Sequence, residues 1–205
     1  MQVFCFGDSI TYGGSRSWVW KLRKHMEEKD NRRERDPLVY NLGVPVNTSR
    51  DVLERFEQEF EARPDSGKKV VIFQFGINDV TRLRESNQNR VRIEEFRQNI
   101  ENLYTKARIK ADEVIFLGFT PVIESKTTPL QDDNSQRIIF KDVRDYEDEL
   151  HEFCRQKNVE FVELFDLFME NGYSELLEDG YHPNAAGQKL IFEAVKNKIH
   201  RLETK

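Results

Sequence analysis

The fold is decided by the stretch from Gln2 to Thr11, which reads QVFCFGDSIT. Its residues from Val3 to Phe6 are all apolar, as is typical of a strand buried on both faces of a parallel sheet. Gly7, Asp8 and Ser9 then end the apolar run, and Asp and Ser favour turns because their side chains bond nearby backbone groups. The stretch therefore predicts a buried strand that turns directly into a helix.

Four more runs rich in Val, Ile, Leu and Phe follow along the chain, separated by segments with helical spacing of apolar residues. Strands that alternate with helices indicate a parallel sheet covered by helices on both faces. We therefore predict an α/β fold with a five-stranded, mostly parallel sheet. The predicted strands are Gln2–Phe6, Leu38–Leu42, Lys69–Phe75, Glu113–Phe119 and Val159–Leu164.

Helical spacing is clear after Thr48, where Val52 and Phe56 recur on one face. Thr48 and Asp51 are placed to cap the start of that helix, because a Thr three residues before an acidic residue is a common pair at helix N-termini. Pro183 is placed to open a terminal helix, since proline favours the first helical position. We interpret the apolar stripes of these helices as core.

Length and composition predict one soluble domain over residues 1–205. Single domains commonly have roughly 100–200 residues, and no linker or internal repeat divides this chain. The net charge is −5, and the run from Lys29 to Asp36 mixes both signs. We therefore expect no nucleic-acid partner, and we interpret that run as a solvated helix end.

Cys5 and Cys154 are the only cysteines, and they lack the paired spacing of a metal or redox site. We expect both to be buried thiols. No apolar stretch approaches the roughly 20 residues that span a membrane, and the N-terminus lacks the pattern of a secretory leader. The sequence therefore predicts no membrane span and cytoplasmic residence, with export left open if a leader has been removed.

Polar residues stand where three of the predicted strands end and just before the terminal helix. Ser9 follows the first strand, Gly43 the second and Asn78 the third, while Asp179 and His182 precede the helix. Ligands of an open α/β sheet bind beyond the carboxyl ends of its strands. We therefore expect these residues to converge on one edge of the sheet.

These residue types match acyl transfer by a serine, which needs a hydroxyl, a base, a carboxylate that orients the base, and oxyanion donors. Ser9 offers the hydroxyl and a backbone N–H. His182 is the candidate base, because the other three histidines fall in charged helical sequence. Asp179 is placed to bind the imidazole across the flexible Gly180. Asn78 offers a neutral amide as an oxyanion donor.

Each signal alone also has a plainer interpretation. A Gly-Asp-Ser turn is often only a turn, and Asp179 with His182 also fits a helix cap beside a surface histidine. Two irregular stretches, Thr81–Arg90 and Val122–Asn134, are either substrate-side loops or mere surface connections. The combination of Ser9, Asn78, Asp179 and His182 favours a catalytic site.

Four sequence blocks together resemble the SGNH, or GDSL, hydrolases. They are GDSIT at 7–11, N-x-G-x-x-x-x-T-S at 41–49, G-x-N-D at 76–79 and D-x-x-H-P at 179–183. The resemblance implies a flavodoxin-like three-layer α/β/α sandwich and a serine esterase without metal or organic cofactor. It also implies that Ser9, His182 and Asp179 form the triad, and that Asn78 and the Ser9 N–H are oxyanion donors.

The second block departs from the family pattern. Alignment of Asn41 and Thr48-Ser49 places the family's oxyanion glycine at Val46, whereas Gly43 lies three residues earlier. A valine also has the backbone N–H that is needed, although a β-branched residue resists positive φ. Val46 and Gly43 are both candidates, with Val46 favoured. As a hypothesis, its methyl groups favour short acyl chains such as acetyl.

We therefore expect a serine esterase that hydrolyses a small-molecule ester with a short acyl group through an acyl-enzyme. An acyltransferase and a non-catalytic binding protein on the same fold are the alternatives. A phosphoester hydrolase is disfavoured, because neither P-loop glycines nor a metal-ligand cluster accompany the serine. No oligomeric state is predicted.

Overall fold

The computed structural model describes residues 1–30, 39–63 and 67–203. Five strands form a central sheet in which all neighbouring strands run parallel. The predicted α/β fold with a mostly parallel sheet is confirmed. The strands are β1 (Gln2–Gly7), β2 (Val39–Gly43), β3 (Lys69–Gln74), β4 (Arg82–Leu83), β5 (Glu113–Leu117), β6 (Gln136–Arg137) and β7 (Glu160–Val162).

The central sheet has the strand order β2-β1-β3-β5-β7. When only these five strands are counted, the order is 2-1-3-4-5, which is the flavodoxin-like order that the family resemblance implied. The chain places β2 on one side of β1 and then places β3, β5 and β7 on the other side, so the switch point of the strand order lies between β1 and β3. Ligands of such folds bind at the carboxyl ends of the strands beside this switch point, and Ser9 and Asn78 follow those two strands.

Helices cover both faces of the sheet. Contacts link α3 to α4 and α4 to α6, and they link α2 to α8 separately. Right-handed crossovers place these two groups on opposite faces and so complete the three layers. The helices are α1 (Ser9–Tyr12), α2 (Trp18–Asp30), α3 (Ser49–Glu61), α4 (Ile93–Lys110), α5 (Glu124–Thr127), α6 (Phe140–Lys157), α7 (Phe165–Glu170) and α8 (Ala185–Glu203).

All five predicted central strands are present, with ends that differ by up to two residues. The predicted start of the second strand, Leu38, lies outside the described residues. So does most of the mixed-charge run from Lys29 to Asp36, of which the structure describes the part that ends α2 at Asp30. No helix among the described residues is long and apolar enough to cross a membrane.

Phenylalanine rings hold the centre of the sheet against the α3 side. Phe6 in β1, Phe73 in β3 and Phe116 in β5 form a row with ring centroids 5.9 and 5.1 Å apart. Phe56 of α3 packs on two of these rings at 5.0 and 5.6 Å. All four are buried, and full burial of each contributes about 1.5–3 kcal/mol. Each of the three strands thus packs in the aromatic core one residue before its carboxyl end.

The predicted capping pair of α3 is confirmed. Asp51 accepts hydrogen bonds from the backbone N–H and the hydroxyl of Thr48, both at 2.7 Å, in a capping box. Val52 and Phe56 are fully buried on the inner face of the helix, as the apolar stripe predicted. The cap fixes where α3 starts, and therefore fixes the loop that precedes it.

The prediction that Pro183 opens the terminal helix was wrong, because α8 begins at Ala185. Asn184 caps the helix instead: its Oδ1 accepts the N–H groups of Ala186 at 2.9 Å and Gly187 at 3.1 Å. The two cysteines are buried free thiols, as predicted. Burial raises the pKa of Cys154 to about 12.

Candidate active site

Ser9, His182 and Asp179 form one hydrogen-bonded chain at the carboxyl edge of the sheet. The Oγ of Ser9 lies 2.8 Å from Nε2 of His182, and Nδ1 of His182 lies 2.6 Å from Oδ2 of Asp179. With its proton on Nδ1, the imidazole donates to the carboxylate and leaves Nε2 to accept from the serine hydroxyl. The structure thus brings together the three residues in the arrangement of nucleophile, base and orienting carboxylate.

The segment from Asp179 to His182 closes into a tight turn. The Oδ1 of Asp179 accepts the backbone N–H groups of Tyr181 at 3.1 Å and His182 at 2.9 Å. Gly180 has φ of 107°, and a Cβ there would lie 2.7 Å from the Cβ of Lys126, so glycine is required. One carboxylate oxygen therefore holds the backbone while the other holds the imidazole, which fixes the ring orientation.

Asp179 is a stable anion within this turn. Burial opposes its ionisation, but hydrogen bonds from the His182 ring and from backbone amides lower the pKa of Asp179 to about 2. The ring of Tyr181 lies over the imidazole with centroids 3.9 Å apart, and burial raises the pKa of Tyr181 to about 12. An ionised carboxylate beside a shielded imidazole stabilises the imidazolium that forms when the base takes a proton.

Close packing explains the Gly-Asp-Ser sequence before α1. A Cβ on Gly7 would lie 2.1 Å from both the carbonyl oxygen of Gln74 and the Oγ1 of Thr11. Asp8 caps the short helix, since its Oδ1 accepts the N–H of Ile10 at 2.9 Å. Ser9 is consequently the first residue of α1, and its side chain stands clear of the sheet beside His182.

Asn78 lies across the site from the triad, after the end of β3. Gly76 permits this turn, because it has φ of 124° and a Cβ there would lie 2.2 Å from the ring of Phe119. The Nδ2 of Asn78 donates a hydrogen bond to the carbonyl oxygen of Asn47 at 3.0 Å. One N–H of the amide is thereby anchored, and the second is left to point at a ligand.

Val46 occupies the third position of a β-turn. Asn47 donates its N–H to the carbonyl oxygen of Val44 at 3.2 Å, and Val46 has φ of 70°. Proline at the second position and positive φ at the third are typical of a type II turn. Positive φ costs a valine about 1–3 kcal/mol, which the surrounding structure must offset. Asn47 is held from two sides, by the amide of Asn78 and by the Nε of Arg55 at 2.7 Å.

The backbone amides of Val46 and Gly43 differ in availability. The N–H of Val46 makes no hydrogen bond to another described residue, and its side chain is 60% exposed. The N–H of Gly43 already donates to Oδ1 of Asn41 at 3.0 Å. A Cβ on Gly43 would lie 2.3 Å from the backbone nitrogen of Tyr12, so glycine is needed there for the packing of α1 on β2. The geometry favours Val46 as the backbone donor.

Two buried carboxyl groups, those of Asp8 and Asp79, adjoin the site and were not among the residues predicted to form it. Burial raises the pKa of Asp8 and of Asp79 to about 7, and the charge of Asp8 adds to the effect at Asp79. Asp79 accepts the N–H of Ser49 at 3.0 and 3.1 Å and its hydroxyl at 2.5 Å. This contact ties the start of α3 to the residue after Asn78. The only sequence signal that could have identified these acids is their position, since Asp8 lies in the block at 7–11 and Asp79 in the block at 76–79.

A cavity of about 170 Å³ opens beside the site, and we call it the inner cavity. Both irregular stretches of the sequence line it, so their interpretation as substrate-side loops is favoured over that of surface connections. Pairing of β4 with β6 joins the first stretch to the residues that directly follow the second. The lining residues are Val46, Asn78, Thr81, Arg90, Leu130, Gln131, Asp132, Asp133, Gln136, Ile138, Asp179 and Tyr181.

The remaining histidines lie away from this site. His25, His151 and His200 are exposed on α2, α6 and α8 respectively, as their charged helical sequence predicted. Within residues 1–30, 39–63 and 67–203, no group of three or more His, Cys, Asp or Glu side chains is arranged to hold a metal ion.

Comparison with known families identifies the class of protein. The model of the GDSL-like Lipase/Acylhydrolase family matches residues 5–190, which is most of the chain and includes all four blocks. The chain belongs to the GDSL-like lipase/acylhydrolase family. This GDSL protein is accordingly a carboxylic ester hydrolase, and the resemblance inferred from the four blocks is confirmed.

Solved structures share the fold of this GDSL hydrolase. A lipase/acylhydrolase from Enterococcus faecalis matches with a TM-score of 0.75 and 22% identity, over 97% of this chain and 95% of that one. LAE5, an α/β hydrolase enzyme from the metagenome of Lake Arreo, matches with 0.71 and 23%, over 95% and 92%. Axe2, an acetylxylan esterase from Geobacillus stearothermophilus, matches with 0.70 and 21%, over 97% and 93%. No curated protein sequence matches significantly.

Proposed function

We propose that this GDSL hydrolase is a serine esterase that cleaves short-chain acyl esters through an acyl-enzyme. The observation that carries the proposal is the chain of contacts from Ser9 Oγ to His182 Nε2 at 2.8 Å and from His182 Nδ1 to Asp179 at 2.6 Å. Both distances lie in the range that general-base activation of a serine requires.

The first half of the reaction forms the acyl-enzyme. Ser9 Oγ attacks the ester carbonyl carbon while Nε2 of His182 takes the hydroxyl proton, and a tetrahedral oxyanion results. His182 then gives that proton to the leaving alcohol oxygen as the carbon–oxygen bond breaks. In the second half, His182 deprotonates a water that attacks the acyl carbon, and the proton returns to Ser9 as the acid leaves.

Three N–H groups are proposed to bind the oxyanion. They are the backbone N–H of Ser9, the backbone N–H of Val46 and one N–H of the Asn78 amide, whose other N–H is anchored on the carbonyl oxygen of Asn47. We propose Val46 and not Gly43 for this role, because the N–H of Gly43 already donates to Oδ1 of Asn41. Fixed donors of this kind need no reorganisation when charge develops, so each contributes strongly to the rate.

The size of the inner cavity supports a short acyl group. Its volume of about 170 Å³ is below the roughly 300–1,000 Å³ of pockets that bind drug-sized ligands. The exposed isopropyl group of Val46 stands on its wall, and several other lining residues are polar. Axe2, which shares the fold, is an acetylxylan esterase. Acetyl is therefore the acyl group that we propose.

Hydrolysis of p-nitrophenyl acetate near pH 8 tests this function. We expect the wild-type enzyme to turn over the ester and Ser9→Ala to lower kcat by about a millionfold, as loss of a serine nucleophile does elsewhere. Equal rates in the two proteins would contradict the serine mechanism. A second arm uses p-nitrophenyl octanoate: faster hydrolysis of the octanoate than of the acetate would contradict the short-chain proposal.

A further inference from the structure

A second cavity of about 270 Å³ adjoins the inner cavity, and Gln136 lines both. We call it the outer cavity. It is formed by the same two stretches and by β6, which directly follows the second. The N–H of Arg84 donates to the carbonyl oxygen of Ser135 at 2.8 Å, and β4 pairs with β6. Its lining residues are Arg84, Thr128, Pro129, Asn134, Gln136 and Arg137.

Two arginines give the outer cavity a net positive charge. Neither Arg84 nor Arg137 forms a salt bridge with a carboxylate of the described residues, whereas the nearby Arg82 is paired with Asp142. The guanidinium of Arg137 donates to the neutral Oδ1 of Asn87, and its buried Nε has no acceptor. Two guanidinium charges thus line one cavity without a salt bridge to any carboxylate in the part of the chain that the structure describes, and Asp133, which accepts a hydrogen bond from Gln136, lines the inner cavity instead.

The other lining groups are neutral and able to form hydrogen bonds. Asn134 and Gln136 contribute amides, and the hydroxyl of Thr128 donates to the carbonyl oxygen of Ile138 at 3.2 Å, which leaves its own oxygen lone pairs to accept. No Asp or Glu side chain lines the outer cavity, whereas Asp132, Asp133 and Asp179 line the inner one. Arg90 also lines the inner cavity, so the inner cavity carries both signs of charge, whereas the charged residues that line the outer cavity are both arginines.

We propose that the outer cavity binds an anionic group on the alcohol part of the substrate, so that the enzyme deacylates acidic carbohydrates. A guanidinium matches the two oxygens of a carboxylate or a phosphate, and the amides and the hydroxyl suit sugar hydroxyls. The ester then lies in the inner cavity beside Ser9, and the alcohol extends past Gln136. This inference rests on the proposed function, since it specifies the substrate class of the same site.

Three acetylated substrates test the proposal in the wild-type enzyme. They are acetylated oligogalacturonate, which carries carboxylates, an acetylated hexose 6-phosphate, and an acetylated neutral xylo-oligosaccharide. We expect kcat/KM for at least one anionic substrate to exceed that for the neutral one by about tenfold or more, because hydrogen bonds to a charged group contribute binding free energy of this size. The better anion identifies the source of the charge. Equal kcat/KM for all three would overturn the proposal.

Variants of Arg84 and Arg137 test whether these two arginines cause the preference for the anionic substrate. In Arg84→Gln/Arg137→Gln, we expect the ratio of kcat/KM for the anionic substrate to that for the neutral substrate to fall to about one, because glutamine keeps hydrogen-bonding capacity but not charge. The matched control is Arg108→Gln, an exposed arginine of α4 that lies over the ring of Tyr104, and it keeps the wild-type ratio. A double variant that also keeps that ratio would overturn the assignment.

A binding measurement separates this proposal from the proposed function. Calorimetric titration of Ser9→Ala with oligogalacturonate needs no turnover, and we expect binding that weakens about tenfold or more when Arg84→Gln and Arg137→Gln are added. Thermal unfolding confirms that each variant is folded. Hydrolysis of p-nitrophenyl acetate that does not depend on Ser9 would refute the esterase mechanism. If hydrolysis depends on Ser9 but shows no preference for the anionic substrates, and if binding does not depend on the two arginines, the proposed role of the outer cavity is refuted while the esterase mechanism stands.

Discussion

The two sides of the site are built in different ways. On the triad side, every functional atom belongs to a side chain, and the turn from Asp179 to His182 fixes two of the three residues by local hydrogen bonds. On the oxyanion side, one proposed donor is the backbone N–H of Val46, whose direction depends on a φ of 70°. Residue types therefore indicate the proposed triad directly, whereas the direction of the proposed Val46 donor depends on the conformation of the chain.

A buried acid supports each side, and the two acids differ in their contacts. Asp79, next to Asn78, receives three hydrogen bonds from Ser49. Asp8, next to Ser9, holds the N–H of Ile10 with one oxygen, while its Oδ2 is buried without a partner. The oxyanion side is thus tied to α3 through a fully bonded carboxyl group, and the triad side adjoins one that is only partly bonded.

The largest expected effect comes from removing the base of the triad. We expect His182→Ala to lower kcat for p-nitrophenyl acetate by about a millionfold, and Asp179→Asn by about 10⁴-fold, because the wrong tautomer is then favoured. Steady-state kinetics at pH 8 measure both. Adding Ser9→Ala to His182→Ala is expected to cost little more, since triad members act as a unit. Full additivity of the two losses would contradict a shared mechanism.

A smaller loss is expected on the oxyanion side. Asn78→Ala removes one of three proposed donors, so we expect kcat to fall about 100- to 1000-fold with little change in KM. Asn171→Ala is the control, because the side chain of this exposed asparagine donates to the backbone carbonyl oxygen of Leu167 in α7. A loss in Asn78→Ala as large as that in His182→Ala would show that the variant disturbs more than a single donor.

Val46→Gly sharpens the contrast further, because it removes the side chain but keeps the backbone N–H. We expect kcat on acetate esters to stay within about threefold of wild type, since the donor is retained. Relief of positive φ in a β-branched residue is expected to raise the free energy of unfolding by about 1 kcal/mol. The ratio of octanoate to acetate hydrolysis is expected to rise. A loss comparable to that of Asn78→Ala would assign the role to the methyl groups.

The smallest effect concerns the buried acids and the pH dependence of stability. The folded-state pKa of Asp8 is raised to about 7 by burial, above its unfolded value of about 3.9. The folded state therefore holds the extra proton between these values, and the free energy of unfolding falls as pH rises from about 4 to 7. We expect Asp8→Asn to reduce the difference in Tm between pH 5 and pH 8. An unchanged difference would contradict this.

Most of the fold, and the contacts among the three residues of the proposed triad, could be predicted from the sequence, because apolar runs mark buried strands and Ser9, Asp179 and His182 have distinctive side chains. β4 and β6 could not, since strands of two residues have no periodicity. The choice between Val46 and Gly43 depended on backbone conformation and on the bond from Gly43 to Asn41. The contact between Asp79 and Ser49 arises only when α3 packs beside β3.

The short β4–β6 pairing has a consequence for engineering this enzyme. It joins two segments that are about 50 residues apart in the sequence, as the pairing of Leu83 with Gln136 shows, and both cavities are walled by the two segments together. Replacing either segment with that of another esterase would leave its counterpart without backbone partners. Loop grafting or directed evolution of substrate range would therefore have to treat the two segments as one inherited module.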